Sequence, residues 1–347
     1  MAIAIILTDT HLSPNTIDVN KSIYSQVIQE AQKLGLDTVY HAGDIFDSRK
    51  AQPLSVLQTF IEILDMFHES GIKLTAIPGN HDKNDYKSER SYLDPFQHHP
   101  AFELVSTQKI VKVNSKFKIA LIPFFNESDT YSSYLTSTNG YIQKNDRCFL
   151  ITHIAVNGVK NNDGSKVDNH ITKEMFSKYE NVLIGHYHNQ SVVHKNITYI
   201  GSAYQQNYGE DNKKGFCVID DNGELYYIKS KFPEFKKVTV DLNSVTLIEA
   251  ENLIKVHKTE NDNVRFIFKG TYEQVNAIDK NLFKKQGVDV KLESSEIEVG
   301  VEQAENNEFV SFDKTGITEE FETFCQINSI ENSEIGKKYL SQTLNKQ

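Results

Sequence analysis

Ile3-Ala4-Ile5-Ile6-Leu7-Thr8-Asp9-Thr10-His11 is the stretch that decides the fold. Five apolar residues of strand composition run without a break and stop at polar side chains, so the segment reads as a buried strand whose exit carries Asp9 and His11. Outward from it the same pattern recurs. Ile23, Val27, Ile28, Ala31 and Leu34 fall at helical spacing before Gly35, and residues 38–42 are strand-like again. Leu54, Leu57, Phe60, Ile61, Leu64 and Phe67 form the apolar stripe of a second helix, Gly71 ends it, and residues 73–77 form the next strand. Strands joined by crossover helices predict an α/β sheet.

Each of these strands ends in metal-type side chains. Asp9 and His11 follow the first, Asp44 follows the second within Gly43-Asp44-Ile45-Phe46-Asp47, and Asn80 and His81 follow the third within Gly79-Asn80-His81-Asp82. Turns after strands are naturally rich in Gly, Asn and Asp, so any one of these taken alone signals only a turn. Two later strands change that reading. His153 closes the apolar run 149–152, and Gly185-His186-Tyr187-His188 closes residues 182–184. Residues two apart in an extended segment face the same side, so His186 and His188 aim both imidazoles at one place. Five strand ends bearing Asp, His, Asn and paired His, a mixed oxygen and nitrogen donor set, suit manganese, iron or zinc better than calcium or magnesium.

Composition sets the limits. The chain has 347 residues, 39% of them hydrophobic, enough for two domains and an appendage. A net charge of -10 argues against nonspecific coating of nucleic acid, which needs clustered Lys and Arg. Cys148, Cys217 and Cys325 are odd in number and far apart, which gives neither a disulfide framework nor a zinc ribbon. The apolar start lacks a basic flank and is too short for a signal peptide, and no run reaches the roughly 18 apolar residues of a membrane span. A soluble, intracellular protein is expected.

Residues 102–123 read as short strands, residues 126–145 as a polar surface insertion, and strand patterns return at 148–152, 182–184, 197–200, 216–219 and 225–228. That order fits a sheet flanked by helices on one side and closed by late antiparallel strands. After residue 235 a small β-α-β-α-β unit begins, with strands at 237–242, 264–269 and 288–292 and helices at 247–257 and 272–286. Glu293, Glu296, Glu298, Glu302, Glu305 and Glu308 mark a solvated acidic linker. Phe321, Phe324, Ile327, Ile335, Tyr339 and Leu340 then fall at helical offsets, as in a docking element for a partner or a helix pair folded back on the chain.

The series Asp9-Thr10-His11, Gly43-Asp44, Gly79-Asn80-His81-Asp82, His153 and Gly185-His186-Tyr187-His188 resembles the calcineurin-like metallophosphoesterases. Two further features are similar to the SbcD nuclease branch, the nuclease component of the double-strand-break repair complexes: the run from Gly43 to Asp47, and Tyr199-Ile200-Gly201-Ser202-Ala203 followed by Tyr208-Gly209-Glu210 and Lys214-Gly215-Phe216. The resemblance implies an α/β sandwich of mixed β-sheets flanked by helices, with a small α+β capping domain and C-terminal helices. It divides the chain into a catalytic domain (1–234), a capping domain (235–293), an acidic linker (294–314) and a helical docking segment (315–347).

It also implies a cofactor of two divalent metal ions, with Mn2+ the expected species. Asp9, His11, Asp44 and His188 would hold one, Asp44, Asn80, His153 and His186 the other, and His81 would position or donate the leaving-group proton. The implied activity is DNA exo- and endonuclease cleavage in the cytoplasm of a bacterial or phage-infected cell, by a homodimer partnered through its C-terminal helices with an SbcC-like ATPase. The alternative is a phosphoesterase acting on nucleotides, cyclic nucleotides or other small phosphoesters. Where some members of the branch carry a second histidine, this chain has Asp47, and Arg49, Lys50, Lys83, Lys87 and Arg90 are candidate phosphate contacts. His41 reads as a core residue, and His68, His98, His99, His170, His194 and His257 match no motif.

Overall fold

A computed structural model describes residues 1–126, 129–160, 165–258 and 262–294, with isolated residues beyond. The expected acidic linker, from residue 295 onward, and the docking segment at 315–347 lie outside the described residues apart from those isolated positions. The elements run β1 (Ala2–Leu7), α1 (Ile17–Leu34), β2 (Thr38–His41), α2 (Leu54–Glu69), β3 (Lys73–Ala76), β4 (Phe102–Leu104), β5 (Lys109–Lys112), β6 (Phe117–Ile122), α3 (Asp129–Tyr141) and β7 (Arg147–His153). There follow β8 (Asn181–Gly185), β9 (Ser191–His194), β10 (Ile197–Tyr199), β11 (Gly215–Asp220), β12 (Leu225–Lys229), β13 (Phe235–Asp241), α4 (Leu247–His257), β14 (Asn263–Gly270), α5 (Tyr272–Asn276), α6 (Lys280–Lys285) and β15 (Val288–Ser294).

Two six-stranded sheets face each other, in the orders β12-β11-β1-β2-β3-β4 and β5-β6-β7-β8-β10-β9. Each has a parallel centre, β1 to β4 in one and β6, β7, β8 and β10 in the other, edged by antiparallel strands. Side chains alternate across the pleat. Ala4 and Ile6 of β1 therefore enter the inter-sheet core with Ile119, Leu121, Phe149, Ile151 and Leu183, while Ile5 and Leu7 pack outward on Tyr24 and Val27 of α1 and Phe60 and Ile63 of α2. On the far side Tyr131 and Leu135 of α3 cover Leu150 and Ile184. The result is helix, sheet, sheet, helix.

That arrangement agrees with the sandwich and corrects the single sheet read from strand order. Strands buried on both faces are near-continuous apolar runs, and such runs carry no record of which sheet they join. Residues 129–141 are a helix where an insertion was expected, because a polar face of Ser and Thr masks two buried aromatic and aliphatic contacts. The expected helix at 272–286 is two helices. The Asp279 side chain accepts from the Asn281 N–H and starts a new one.

In the last unit β13, β14 and β15 form a parallel three-stranded sheet with its own core of Val240, Phe266, Phe268, Val275 and Phe283. It meets the larger body through Gln205. That carboxamide accepts from the Phe235 N–H at 2.8 Å and donates to the Phe235 carbonyl at 3.2 Å, and Tyr208 meets the Phe235 ring edge-on. No helix of the described residues is long and apolar enough to cross a membrane.

Candidate metal centre

Parallel strands deliver their carboxyl ends to one edge, and there the loops continue to pair after the strands stop. The Asp9 N–H donates to the Gly43 carbonyl, and His11 and Leu12 donate to the carbonyls of Asp44 and Ile45. Asp82 ties in the third loop. Its buried carboxylate accepts from the N–H groups of Gly79 (2.8 Å), Phe46 (2.9 Å) and Ile45 (3.3 Å). Burial and the Asp44 charge push the Asp82 carboxyl up to about 6 against those three donors, which leaves an ionised acceptor at neutral pH.

Two glycines permit this convergence. A Cβ on Gly79 would stand 2.2 Å from Asp44 Oδ1, and one on Gly185 would stand 2.2 Å from Thr8 Oγ1 and 2.6 Å from the Ala42 carbonyl. The Asp44 carboxylate and the Thr8 hydroxyl take the space that a side chain at these two positions would need.

All seven expected ligands meet at this edge, together with His81. Asp9, His11 and His188 form one group, Asp9, Asp44 and His153 a second, and His11, Asp44 and His81 a third, with ligand atoms in each within 4.8 Å of one another. Asn80 Oδ1 joins the second side, 3.0 Å from His153 Nε2 and 2.9 Å from His186 Nδ1. Among the described residues the non-glycine positions with positive φ are Asp9 (52°), His11 (40°), Asp44 (57°) and His186 (90°). Every one is an expected ligand. Left-handed backbone away from glycine costs about 1–3 kcal/mol per residue and persists where surrounding structure imposes it, as it does at functional sites.

The donor set fits divalent cations. His153 Nδ1 donates to the Ala42 carbonyl at 2.8 Å, so its Nε2 is free to face Asn80 and the Asp44 carboxylate, 3.3 Å away. Burial works against charging that ring, yet Asp44 and Asp9 push it up to about 9. His11 and His188 face each other Nε2 to Nε2 at 3.1 Å, and His11 Nδ1 is buried with no hydrogen-bond partner. Two imidazole nitrogens nose to nose share at most one proton. Asp9 and Asp44 are essentially unexposed, and although burial alone would raise them, the neighbouring His11 and His153 hold both well below the usual carboxylate range. Buried anions ringed by imidazoles that can give up their protons for a cation are what a transition-type metal ion requires.

Supporting residues that sequence reading left without a role stand behind the expected ligands. Glu210 Oε1 accepts from His188 Nδ1 at 2.8 Å while its other oxygen meets buried Lys214 at 3.0 Å, which directs the His188 Nε2 lone pair inward. The motif Tyr208-Gly209-Glu210 was visible, and its function was not. Glu210→Gln is expected to weaken manganese binding about 10- to 100-fold with the fold retained. Competition against a fluorescent chelator measures this, and an unchanged affinity would remove Glu210 from the centre. His41, read as core, is fully buried and neutral, pushed by burial down to about 3. Its Nδ1 accepts from the Gly43 N–H and its Nε2 meets Thr10 Oγ1, linking the first two ligand loops.

The basic candidates divide. Lys83 is corrected: it is buried, donates to the carbonyls of Ser88 and Phe124, and sits over the Phe125 ring, so no phosphate reaches it. Arg90 pairs with Asp94. Arg49 donates to His81 Nε2 at 2.7 Å, and His81 Nδ1 meets the Asp47 carbonyl. A guanidinium only donates, so His81 is held as the Nδ1–H tautomer. Burial, the charge of His11 and that of Arg49 lower its pKa.

Comparison with known proteins agrees with this geometry. The chain is 28% identical over 208 residues to Exonuclease subunit 1 of Enterobacteria phage T4, a match covering 57% of each chain. It is 26% identical over 289 residues to the SbcD component of the SbcCD nuclease of Staphylococcus epidermidis, covering 74% of each. It is 26% identical over 207 residues to the DNA double-strand break repair protein Mre11 of Methanosarcina acetivorans, covering 58% of this chain and 33% of that one. The chain thus spans little more than half of the phage protein and a third of the archaeal one. The model of the calcineurin-like phosphoesterase superfamily domain matches residues 1–224, a span that contains all five strand ends that carry expected ligands. By that match the chain belongs to the calcineurin-like phosphoesterase superfamily.

Proposed function

We propose that the chain is a metal-dependent phosphodiesterase that cleaves DNA, with two divalent cations, manganese by preference, held by Asp9, His11, Asp44 and His188 on one side and by Asp44, Asn80, His153 and His186 on the other. The observation that carries this is the convergence of all seven side chains on one strand edge, four of them from left-handed backbone. Bound cations supply Lewis-acid polarisation of phosphate oxygens and acidify water to near neutral pKa. The protein supplies the rest. Asp44 reaches His81 N–H, His153 and His11, so it orders both halves of the site. A DNA phosphate that draws Arg49 away would free His81 Nε2 to take up a proton from solvent, and the imidazolium so formed would give that proton to the departing 3′ or 5′ oxygen as the P–O bond breaks.

Relatives named as nuclease and exonuclease components support DNA as substrate. On this reading residues 1–234 are catalytic, residues 235–293 cap the His11 side, and the protein works as a homodimer with an SbcC-like ATPase bound through residues 315–347. The test is manganese-dependent degradation of linear double-stranded and circular single-stranded DNA beside bis(p-nitrophenyl) phosphate, with and without such an ATPase. Both DNA substrates should be cut. Hydrolysis of the small ester with DNA untouched even in the presence of the ATPase would transfer the reading to small phosphoesters.

A further inference from the structure

Beside the centre lies a cavity of about 500 Å3 that starts at His11 and Asp47 and ends against the small sheet. Its lining includes apolar Val19 and Pro233 and the polar side chains of Asn15, Asp18 and Asn263, brought from the loop before α1, from α1 and from β14. None of these three side chains has a hydrogen-bond or ion-pair partner among the described residues. The lining includes the carboxylates of Asp18 and Asp47, and among the described residues that line it there is neither Lys nor Arg. A second phosphate would be repelled there. A neutral ring with donors and acceptors on its edge suits such a lining, which offers apolar contact from Val19 and Pro233 and hydrogen bonds from the two amides.

We propose that this cavity binds a nucleoside, the one attached to the phosphate that is cut, and so makes the enzyme selective for nucleoside phosphodiesters over simple ones. The inference rests on the phosphodiesterase reading and deepens it. Shared walls tie the cavity to the reacting centre: His11 belongs to both, and Gln206, another lining residue, donates to the Asp9 carbonyl at 2.6 Å. The wall from the small sheet is fixed, because both backbone groups of Phe235 are taken by Gln205 and Arg265 stacks on the Tyr208 ring that Phe235 meets. Carboxamides donate and accept equally well, so the cavity recognises that a base is present without choosing which base.

The experiment compares thymidine 5′-(p-nitrophenyl) phosphate with bis(p-nitrophenyl) phosphate, which share the leaving group and the phosphodiester and differ in the nucleoside. The manganese-loaded wild type is set beside Asn15→Trp/Asn263→Trp, a double variant at two exposed positions that fills the cavity without touching a ligand. The wild type should show a KM about ten-fold lower for the nucleoside ester, the effect of one or two hydrogen bonds. The double variant should erase that difference and keep kcat/KM for the simple ester within about two-fold.

An equal effect on both esters, or no preference in the wild type, overturns the cavity's role while leaving phosphodiesterase activity in place. Failure to hydrolyse either ester with manganese, iron or zinc overturns the activity instead. Saturation-transfer NMR of deoxyadenosine on the metal-free protein then decides the cavity alone: a signal lost in the double variant supports it, and an absent or unchanged signal refutes it.

Discussion

Asp44→Asn is expected to give a folded protein that holds at most one cation and hydrolyses bis(p-nitrophenyl) phosphate at least about a thousand-fold more slowly than the wild type, the scale of losing several kcal/mol of charge stabilisation. Asp44 is 1% exposed, and its two oxygens serve different halves of the site. Oδ1 accepts from the His81 N–H at 2.8 Å, and Oδ2 lies 3.3 Å from His153 Nε2 and 3.7 Å from His11 Nε2. An amide keeps the volume but removes the charge and turns an N–H toward one set of nitrogens. Elemental analysis and steady-state rates, with circular dichroism as the folding control, measure the outcome. Two cations retained with a rate within ten-fold of wild type would show that Asp44 does not join the halves.

His81→Ala should separate substrates by their leaving group. DNA expels an alkoxide that needs a proton, so its cleavage should fall by about 10²- to 10⁴-fold. p-Nitrophenolate leaves without one, and its release should fall less than about ten-fold on the same Brønsted reasoning. Cation content should persist, because Asp9, His11, His153 and His188 remain. Equal losses on both substrates would assign His81 to the cations, a place its proximity to His11 and Asp44 permits. Arg49→Met should mimic the DNA defect in part, since on this reading Arg49 is the group that leaves His81 for the DNA phosphate.

Much of this was legible residue by residue. The strand ends of β1, β2, β3, β7 and β8 could be read because buried parallel strands are apolar runs and each stops at a ligand. Left-handed backbone at Asp9, His11, Asp44 and His186 could not, since none is a glycine, and the enrichment of Asp and His at positive φ is too slight to single out a position from its sequence. Nor could the roles of Glu210 and Arg49. Glu210 meets His188 across 22 positions and Arg49 meets His81 across 32, and charged side chains at such separations read simply as solvated surface. The edge strand β9 was missed for a related reason: its exposed Ser191 and Val192 show no alternation. Lys83 misled in the opposite direction, a lysine whose ammonium is satisfied by two carbonyls and an aromatic face.

The four left-handed positions proposed as ligands set two kinds of selection against each other in any engineering of this protein. A library screened only for heat resistance should enrich Gly at Asp9, His11, Asp44 or His186 wherever the relief of left-handed strain, about 1–3 kcal/mol, exceeds what the lost side-chain contacts contribute. The winners of that screen would be the dead enzymes, so thermostable and active variants must be sought elsewhere in the chain.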